Sequence, residues 1–150
     1  TNTYGPGMRV KDARQTFLGI WIRLLLEGKP IKVFGDGKQL RDFNFVDDCV
    51  EALLLAGASD QANGKIYNLG CSEVIGLKDL AKIMVNLGYG GSFDLAPFPS
   101  ERKAIDIGDY YSDFSLITKE LGWVPKIDLK DGLKLTLNYY STHSSHYWDK

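Results

Sequence analysis

The chain predicts a mixed α/β domain of short strands and about five helices, and three observations carry that reading. Apolar residues recur at three- and four-residue spacing in five separate stretches. Between them lie short runs in which β-branched or aromatic residues alternate with polar ones. Glycine and proline mark most of the boundaries. With 150 residues and 44% hydrophobic content the chain has the size and composition of one domain with a core of its own.

In order, residues 1–10 are turn chemistry with no element ahead of them to turn from. Asp12 is positioned to cap a helix whose apolar stripe is Ala13, Phe17, Ile20, Trp21, Leu24 and Leu25, stopped by Gly28 with Pro30 beyond. Residues 31–34 and 40–45 read as strands joined by the Gly35–Gly37 turn. Asp47 or Asp48 then caps a helix with Val50, Leu53, Leu54 and Ala58 on its apolar face. Residues 65–69 are a strand candidate, and Leu77, Leu80, Ala81, Met84 and Leu87 form a third helical stripe ended by Gly88. Residues 93–95 suit a short strand; Pro97 and Pro99 then favour an extended loop delivering Arg102 and Lys103. Asp113 precedes a short helix with Phe114, Ile117 and Leu121, closed by Gly122, and Asp128 precedes a last helix with Leu129, Leu133, Leu137 and Tyr140. The polar tail from Ser141 is expected to fray.

Composition removes several classes of function. Basic and acidic residues, 18 and 19, are interleaved to a net charge of -1, so no nucleic-acid-binding face is expected. The apolar runs are too short to cross a bilayer, and the first residues lack a basic-then-apolar signal pattern; a cytoplasmic protein without a membrane partner is expected. Cys49 and Cys71 stand alone, without a cysteine or histidine at metal-ligand spacing, and read as reduced, partly buried thiols; no metal is expected. His143 and His146 fall in the tail and are poor catalytic candidates, and Trp21, Trp123 and Tyr140 read as core anchors.

The densest chemistry lies in Lys32-Val-Phe-Gly-Asp-Gly-Lys-Gln-Leu-Arg-Asp-Phe-Asn-Phe-Val-Asp-Asp48. Gly35 and Gly37 permit a tight turn, and a guanidinium at Arg41 can grip two phosphate oxygens at once. That pattern suggests diphosphate recognition.

Six fragments in order, Asn2-Thr-Tyr-Gly-Pro-Gly, Gly28-Lys-Pro-Ile-Lys-Val-Phe-Gly-Asp-Gly with Arg41-Asp-Phe, Tyr67-Asn-Leu-Gly, Tyr111-Ser-Asp, Leu121-Gly-Trp-Val-Pro and Asp131-Gly-Leu, resemble the C-terminal, substrate-binding portion of the nucleotide-sugar epimerases and dehydratases. These form the extended branch of the short-chain dehydrogenase/reductase superfamily, of which UDP-glucose 4-epimerase is a familiar type similar to this chain. The family's Gly-x-x-Gly-x-x-Gly turn and catalytic Tyr-x-x-x-Lys pair are absent: no tyrosine has a lysine four residues on, and Gly5/Gly7, Gly35/Gly37 and Gly88/Gly90 lack the third glycine. The resemblance therefore implies that residues 1–150 are the substrate domain of a larger enzyme. This chain is then expected to hold no catalytic residue and to bind no cofactor itself, NAD being held by a Rossmann domain outside it.

The resemblance also implies a set of substrate-binding residues. Asn2 would approach the diphosphate or sugar, although it also suits the adjacent turn. Phe34 would line the nucleobase pocket or serve as an ordinary strand aromatic. Arg41 would neutralise the diphosphate. Asp106, at the family spacing before Asp113, would accept ribose hydroxyls; the arginine expected three residues before it is replaced by Lys103, so Arg102 is assigned to phosphate first and Lys103 second, against a solvated charged loop. The implied ligand is a nucleotide-diphosphate sugar, a UDP-sugar being favoured, and the implied parent a homodimer. Alternatives are a stand-alone nucleotide-sugar binding module without turnover and a self-associating interaction domain.

Overall fold

The computed structural model describes residues 2–12, 16–103 and 106–148, without the side chains of Glu101 and Arg102. It is a mixed α/β fold of six strands in three two-stranded sheets, with six α-helices, one a single turn, among the described residues. The fold class predicted above is the one observed.

β1 (Thr3–Tyr4) pairs in parallel with β4 (Asn44–Phe45), β2 (Pro30–Phe34) in parallel with β6 (Ser92–Ala96), and β3 (Leu40–Asp42) antiparallel with β5 (Val74–Gly76). The glycine turn thus joins β2 to β3 without pairing them. Each finds its ladder partner far along the chain. β2 shows why the pattern was readable: Ile31 and Val33 are fully buried while Lys32 between them is exposed.

α1 (Phe17–Leu26) starts later than its apolar spacing suggested. Its cap is Thr16, whose hydroxyl accepts from Gly19 N, not Asp12; Ala13 lies outside the described residues. The buried face is Leu18, Trp21, Ile22 and Leu25. α3 (Leu77–Asn86) and α6 (Leu129–His143) bury the predicted stripes, through Leu80, Ala81 and Met84 and through Leu129, Leu133, Leu137 and Tyr140. Asp128 caps α6 by accepting from Asp131 N at 2.8 Å. These helices close the main core over Tyr4, Ile31, Val33 and Phe45.

Further expectations are corrected. α2 (Val46–Ala58) has no side-chain cap; Asp47 and Asp48 sit in its first turn. Its buried residues are Asp48, Cys49 and Ala52, whereas Val50, Leu53 and Leu54 are 46%, 69% and 69% exposed, so the apolar stripe faces away from this fold. Residues 65–69 form no strand: Tyr67 and Leu69 pack by their side chains onto a second cluster of Ala52, Ile117 and Trp123. After the two prolines the chain makes one helical turn, α4 (Ser100–Lys103), with Lys103 N donating to Pro99 O; proline forbids a helix interior but not the position ahead of one. The tail does not fray at Ser141. α6 continues to His143, a 3-10 turn spans Ser144–His146, and Trp148 is buried beside Tyr140 with the Arg23 guanidinium 5.8 Å from its ring centroid.

α5 (Ser115–Leu121) buries Ile117 and ends at Gly122 in the left-handed region. Both cysteines are free, Cys49 buried and Cys71 half-buried. Trp21, Trp123 and Tyr140 are core residues, as read from the sequence. No helix is long and apolar enough to cross a membrane among the described residues.

Candidate functional site

β3 organises the candidate site because both of its edges are occupied. β5 takes one edge. Along the other runs segment 106–112, outside any named strand, held by Tyr110 N donating to Leu40 O at 2.9 Å and by a parallel bridge between Arg41 and Tyr110. A central position buries the Arg41 side chain, which an edge strand would leave in water.

Arg41 is only 7% exposed. Its Nη1 donates to the carbonyls of Leu40, at 2.7 Å, and Gly108, 67 residues further along the chain. Its Nη2 lies 3.7 Å from Asp106 Oδ1, an ion pair beyond hydrogen-bond distance. The two carbonyls therefore fix the guanidinium plane from one side. No hydrogen bond from Nε occurs among the described residues.

The fold brings Arg41 and Asp106 together, whereas the sequence reading paired Asp106 with Arg102. Phe34 ends β2 half-buried, its ring 5.8 Å from that of Phe98 at 45°. Asn2 is half-buried; its backbone O accepts from Asn44 N, which sets it alongside β4, while its side-chain Nδ2 is buried without a partner among the described residues. Lys103 is exposed at the end of α4. The Arg102 side chain lies outside the described residues.

Several polar residues around the site do structural work that spacing did not reveal. Asp42, 1% exposed, accepts from Ser112 N through Oδ2, and its Oδ1 is buried without a partner among the described residues. Asp48, 3% exposed, accepts from Ile127 N through Oδ2 while its backbone O accepts from Trp123 Nε1. These bonds tie β3 and α2 to the loops after Gly108 and Gly122. Phe98 and Gly108, which the structure sets against Phe34 and Arg41, were missed as members of the candidate site; the only sequence signal available was their closeness to Asp106.

Burial pushes the Cys71 thiol up, with the nearby Asp42 and Glu73 charges adding to it, so it stays protonated at neutral pH. A shallow, open depression of about 400 Å³ lies at the start of α5, lined by Ser112, Asp113, Phe114, Ser115, Thr118 and Lys119, none of them a predicted site residue. No group of histidine, cysteine or acidic side chains suited to a metal occurs among the described residues.

Known proteins share both the fold and the sequence. A UDP-glucose 4-epimerase from Thermotoga maritima, solved with UDP-glucose, superposes with a TM-score of 0.84 at 29% identity, covering 95% of this chain and 44% of that one. The fold is thus that of a portion of the short-chain dehydrogenase/reductase-like proteins acting on nucleotide sugars. In sequence, residues 1–70 match the profile of the NAD dependent epimerase/dehydratase family. A dTDP-glucose 4,6-dehydratase of Streptomyces griseus is 30% identical over 149 residues, covering 99% of this chain and 43% of that protein. UDP-glucuronic acid decarboxylase 2 of Arabidopsis thaliana is 32% identical over 139 residues, covering 89% of this chain and 28% of that protein. The chain is related to the NAD-dependent epimerase/dehydratase family and corresponds to the C-terminal portion of its members. It spans less than half the length of these relatives.

Proposed function

We propose that this chain binds the nucleoside-diphosphate end of a nucleotide sugar and orients the sugar for a larger NAD-dependent epimerase or dehydratase, whose bond chemistry resides in the remainder of that protein. The observation that carries the reading is the convergence of Arg41 with Asp106 beside β3. A guanidinium anchored on two carbonyls keeps one side for phosphate oxygens, and a neighbouring carboxylate suits ribose hydroxyls. The Phe34–Phe98 pair suits a base, and the buried, partnerless Nδ2 of Asn2 suits a substrate oxygen.

Binding energy gathered at the nucleotide, remote from the reacting carbon, is what positions a sugar for reaction. The relatives are named for dTDP- and UDP-sugars and for dehydration and decarboxylation. A UDP-sugar is our favoured ligand, in a homodimeric cytoplasmic parent. No glycine pair in the sequence carries the third glycine of a dinucleotide fingerprint. A dinucleotide site needs a glycine turn leading from a strand into a helix. The Gly35–Gly37 turn instead leads from strand to strand, and Gly88 and Gly90 lie between α3 and β6. On this reading NAD belongs to the rest of the parent protein.

The test is an amide-correlation NMR titration of the 150-residue chain with UDP, repeated on Arg41→Ala. Saturable shifts are expected at residues 34–41 and 103–106. One arginine–diphosphate contact contributes about 1.5 to 3 kcal/mol, so the variant should bind roughly ten- to a hundredfold more weakly. Equal affinity in the two proteins would remove Arg41 from the site.

A second reading is favoured by one observation, the exposed apolar stripe of Val50, Leu53 and Leu54 on α2. It is a self-associating domain, which would give concentration-dependent oligomers and no nucleotide affinity.

A further inference from the structure

Each residue of β3 grips segment 106–112 by different chemistry. Arg41 uses its guanidinium on Gly108 O and Asp106, and Asp42 uses its carboxylate on Ser112 N. Leu40 is held twice: its O accepts from Tyr110 N at 2.9 Å, and its N donates to Asp109 Oδ1 at 2.8 Å. The second bond is unusual for a ladder. Main-chain pairing between the two segments is in place at Tyr110, and the amide of Leu40, ahead of Arg41, is satisfied by a side chain of the incoming segment.

Asp109 therefore extends the docking of the segment beyond its last backbone contact. It does so between two residues whose placement matters, Gly108, whose carbonyl holds Arg41, and Tyr110, which bridges to it. Gly108 takes a φ of +67°, so the chain turns sharply just before the clamp and carries Asp106 back over the guanidinium. Without the Asp109 bond, the part of the segment ahead of Tyr110 would be tied to β3 only through Arg41 among the described residues, the group that the proposed ligand must also use.

We propose that Asp109 is a positioning residue: by accepting from Leu40 N it holds segment 106–108 in register, so that Asp106 and Gly108 O face Arg41 before a nucleoside diphosphate arrives. The inference rests on the nucleotide-binding reading above. Asp109 acts through the Leu40 amide and touches no ligand. Asparagine keeps an acceptor oxygen at the same reach, whereas alanine removes it.

The experiment uses the 150-residue chain as wild type, Asp109→Ala and Asp109→Asn, with two readouts by NMR: hydrogen-exchange protection of the Leu40 amide without ligand, and affinity for UDP. Asp109→Ala is expected to lower Leu40 protection about three- to tenfold and to weaken UDP binding by a similar factor. Asp109→Asn should restore both to within about twofold of wild type. Unchanged Leu40 protection in Asp109→Ala would overturn the clamp. Lost protection with unchanged UDP affinity would overturn the positioning role while leaving the nucleotide-binding reading standing. A wild-type chain with no affinity for UDP would overturn that reading and this proposal with it. Asp109→Asn behaving like Asp109→Ala would also count against the proposal, since charge rather than the Leu40 bond would then be what matters.

Discussion

The two glycines of the β2–β3 turn should respond very differently to the same substitution. Both adopt φ +69°, and replacing either with alanine puts a Cβ into the left-handed region at a cost of about 1 to 2 kcal/mol. At Gly35 little else opposes it: the new Cβ would lie 3.4 Å from Phe98 Cδ2 and 3.9 Å from Gln39 Nε2, ordinary contacts. A less flexible unfolded chain returns about 0.4 to 1 kcal/mol, so Gly35→Ala should cost roughly 1 kcal/mol net. At Gly37 the Cβ would fall 2.7 Å from Lys78 Cβ, 2.8 Å from Val33 Cγ1 and 3.1 Å from Lys78 N.

Those neighbours have nowhere to move. Val33 is fully buried, and Lys78 N, in the first turn of α3, donates to Gly37 O at 2.9 Å. Overpacking of this kind adds about 1 to 3 kcal/mol, which brings Gly37→Ala to roughly 2 to 4 kcal/mol. Urea unfolding followed by circular dichroism, with m unchanged, measures both values. In thermal unfolding each kcal/mol corresponds to about 2 to 4 °C at this size. Equal losses, or a larger loss at Gly35, would refute the claim that the turn is held by its close approach to α3.

Two further tests address burial and electrostatics. Leu53→Glu should change the stability of this chain by no more than about 0.5 kcal/mol because Leu53 is 69% exposed, whereas Leu137→Ala, from a fully buried position, should cost about 2 to 5 kcal/mol in the same urea assay; a Leu53 effect as large as that of Leu137 would mean that the α2 stripe is packed. The Tyr67 hydroxyl donates to Glu120 Oε2 at 2.6 Å, which pushes the phenol up to about 12, while the Lys65 and then the Tyr67 hydrogen bonds hold the Glu120 carboxyl below its usual range. The raised phenol contributes stability that is complete below its unfolded value of about 10 and lost as pH rises through about 12. The lowered carboxyl contributes stability present above its unfolded value and lost as pH falls through its folded one. Ring-carbon NMR of Tyr67 should therefore titrate near 12 and return toward about 10 in Glu120→Gln; a titration unchanged by the substitution would exclude Glu120 as the cause.

Where local chemistry and burial agree, the sequence was a good guide. In α6 the cap at Asp128 and the stripe from Leu129 to Tyr140 are one local pattern, and the helix forms as its spacing says. The same holds for α3 and for the alternating Ile31 and Val33 of β2. α2 shows the limit of the method. Its periodicity correctly gives a helix, but Val50, Leu53 and Leu54 find nothing in this fold to pack on, and burial goes instead to Cys49 and Ala52 on another face. Periodicity reports that an apolar face exists; what covers that face is a matter of partners.

The candidate site divides along the same line. Arg41 was legible because a glycine turn followed by arginine is a local arrangement, and Asp106 because of its spacing from Asp113 within a resemblance to known enzymes. That the two meet, that two backbone carbonyls hold Arg41 from one side, and that Asp109 fastens the segment between them depended on bringing residues about 67 positions apart to the same strand edge. By itself, then, the sequence determined the elements, most of the core and the family resemblance, because these follow from periods of two to four residues and from contiguous motifs. Strand partners, the exposed stripe of α2 and the docking of segment 106–112 were decided only in the tertiary structure, because hydrogen bonds between distant backbones leave no trace in local composition.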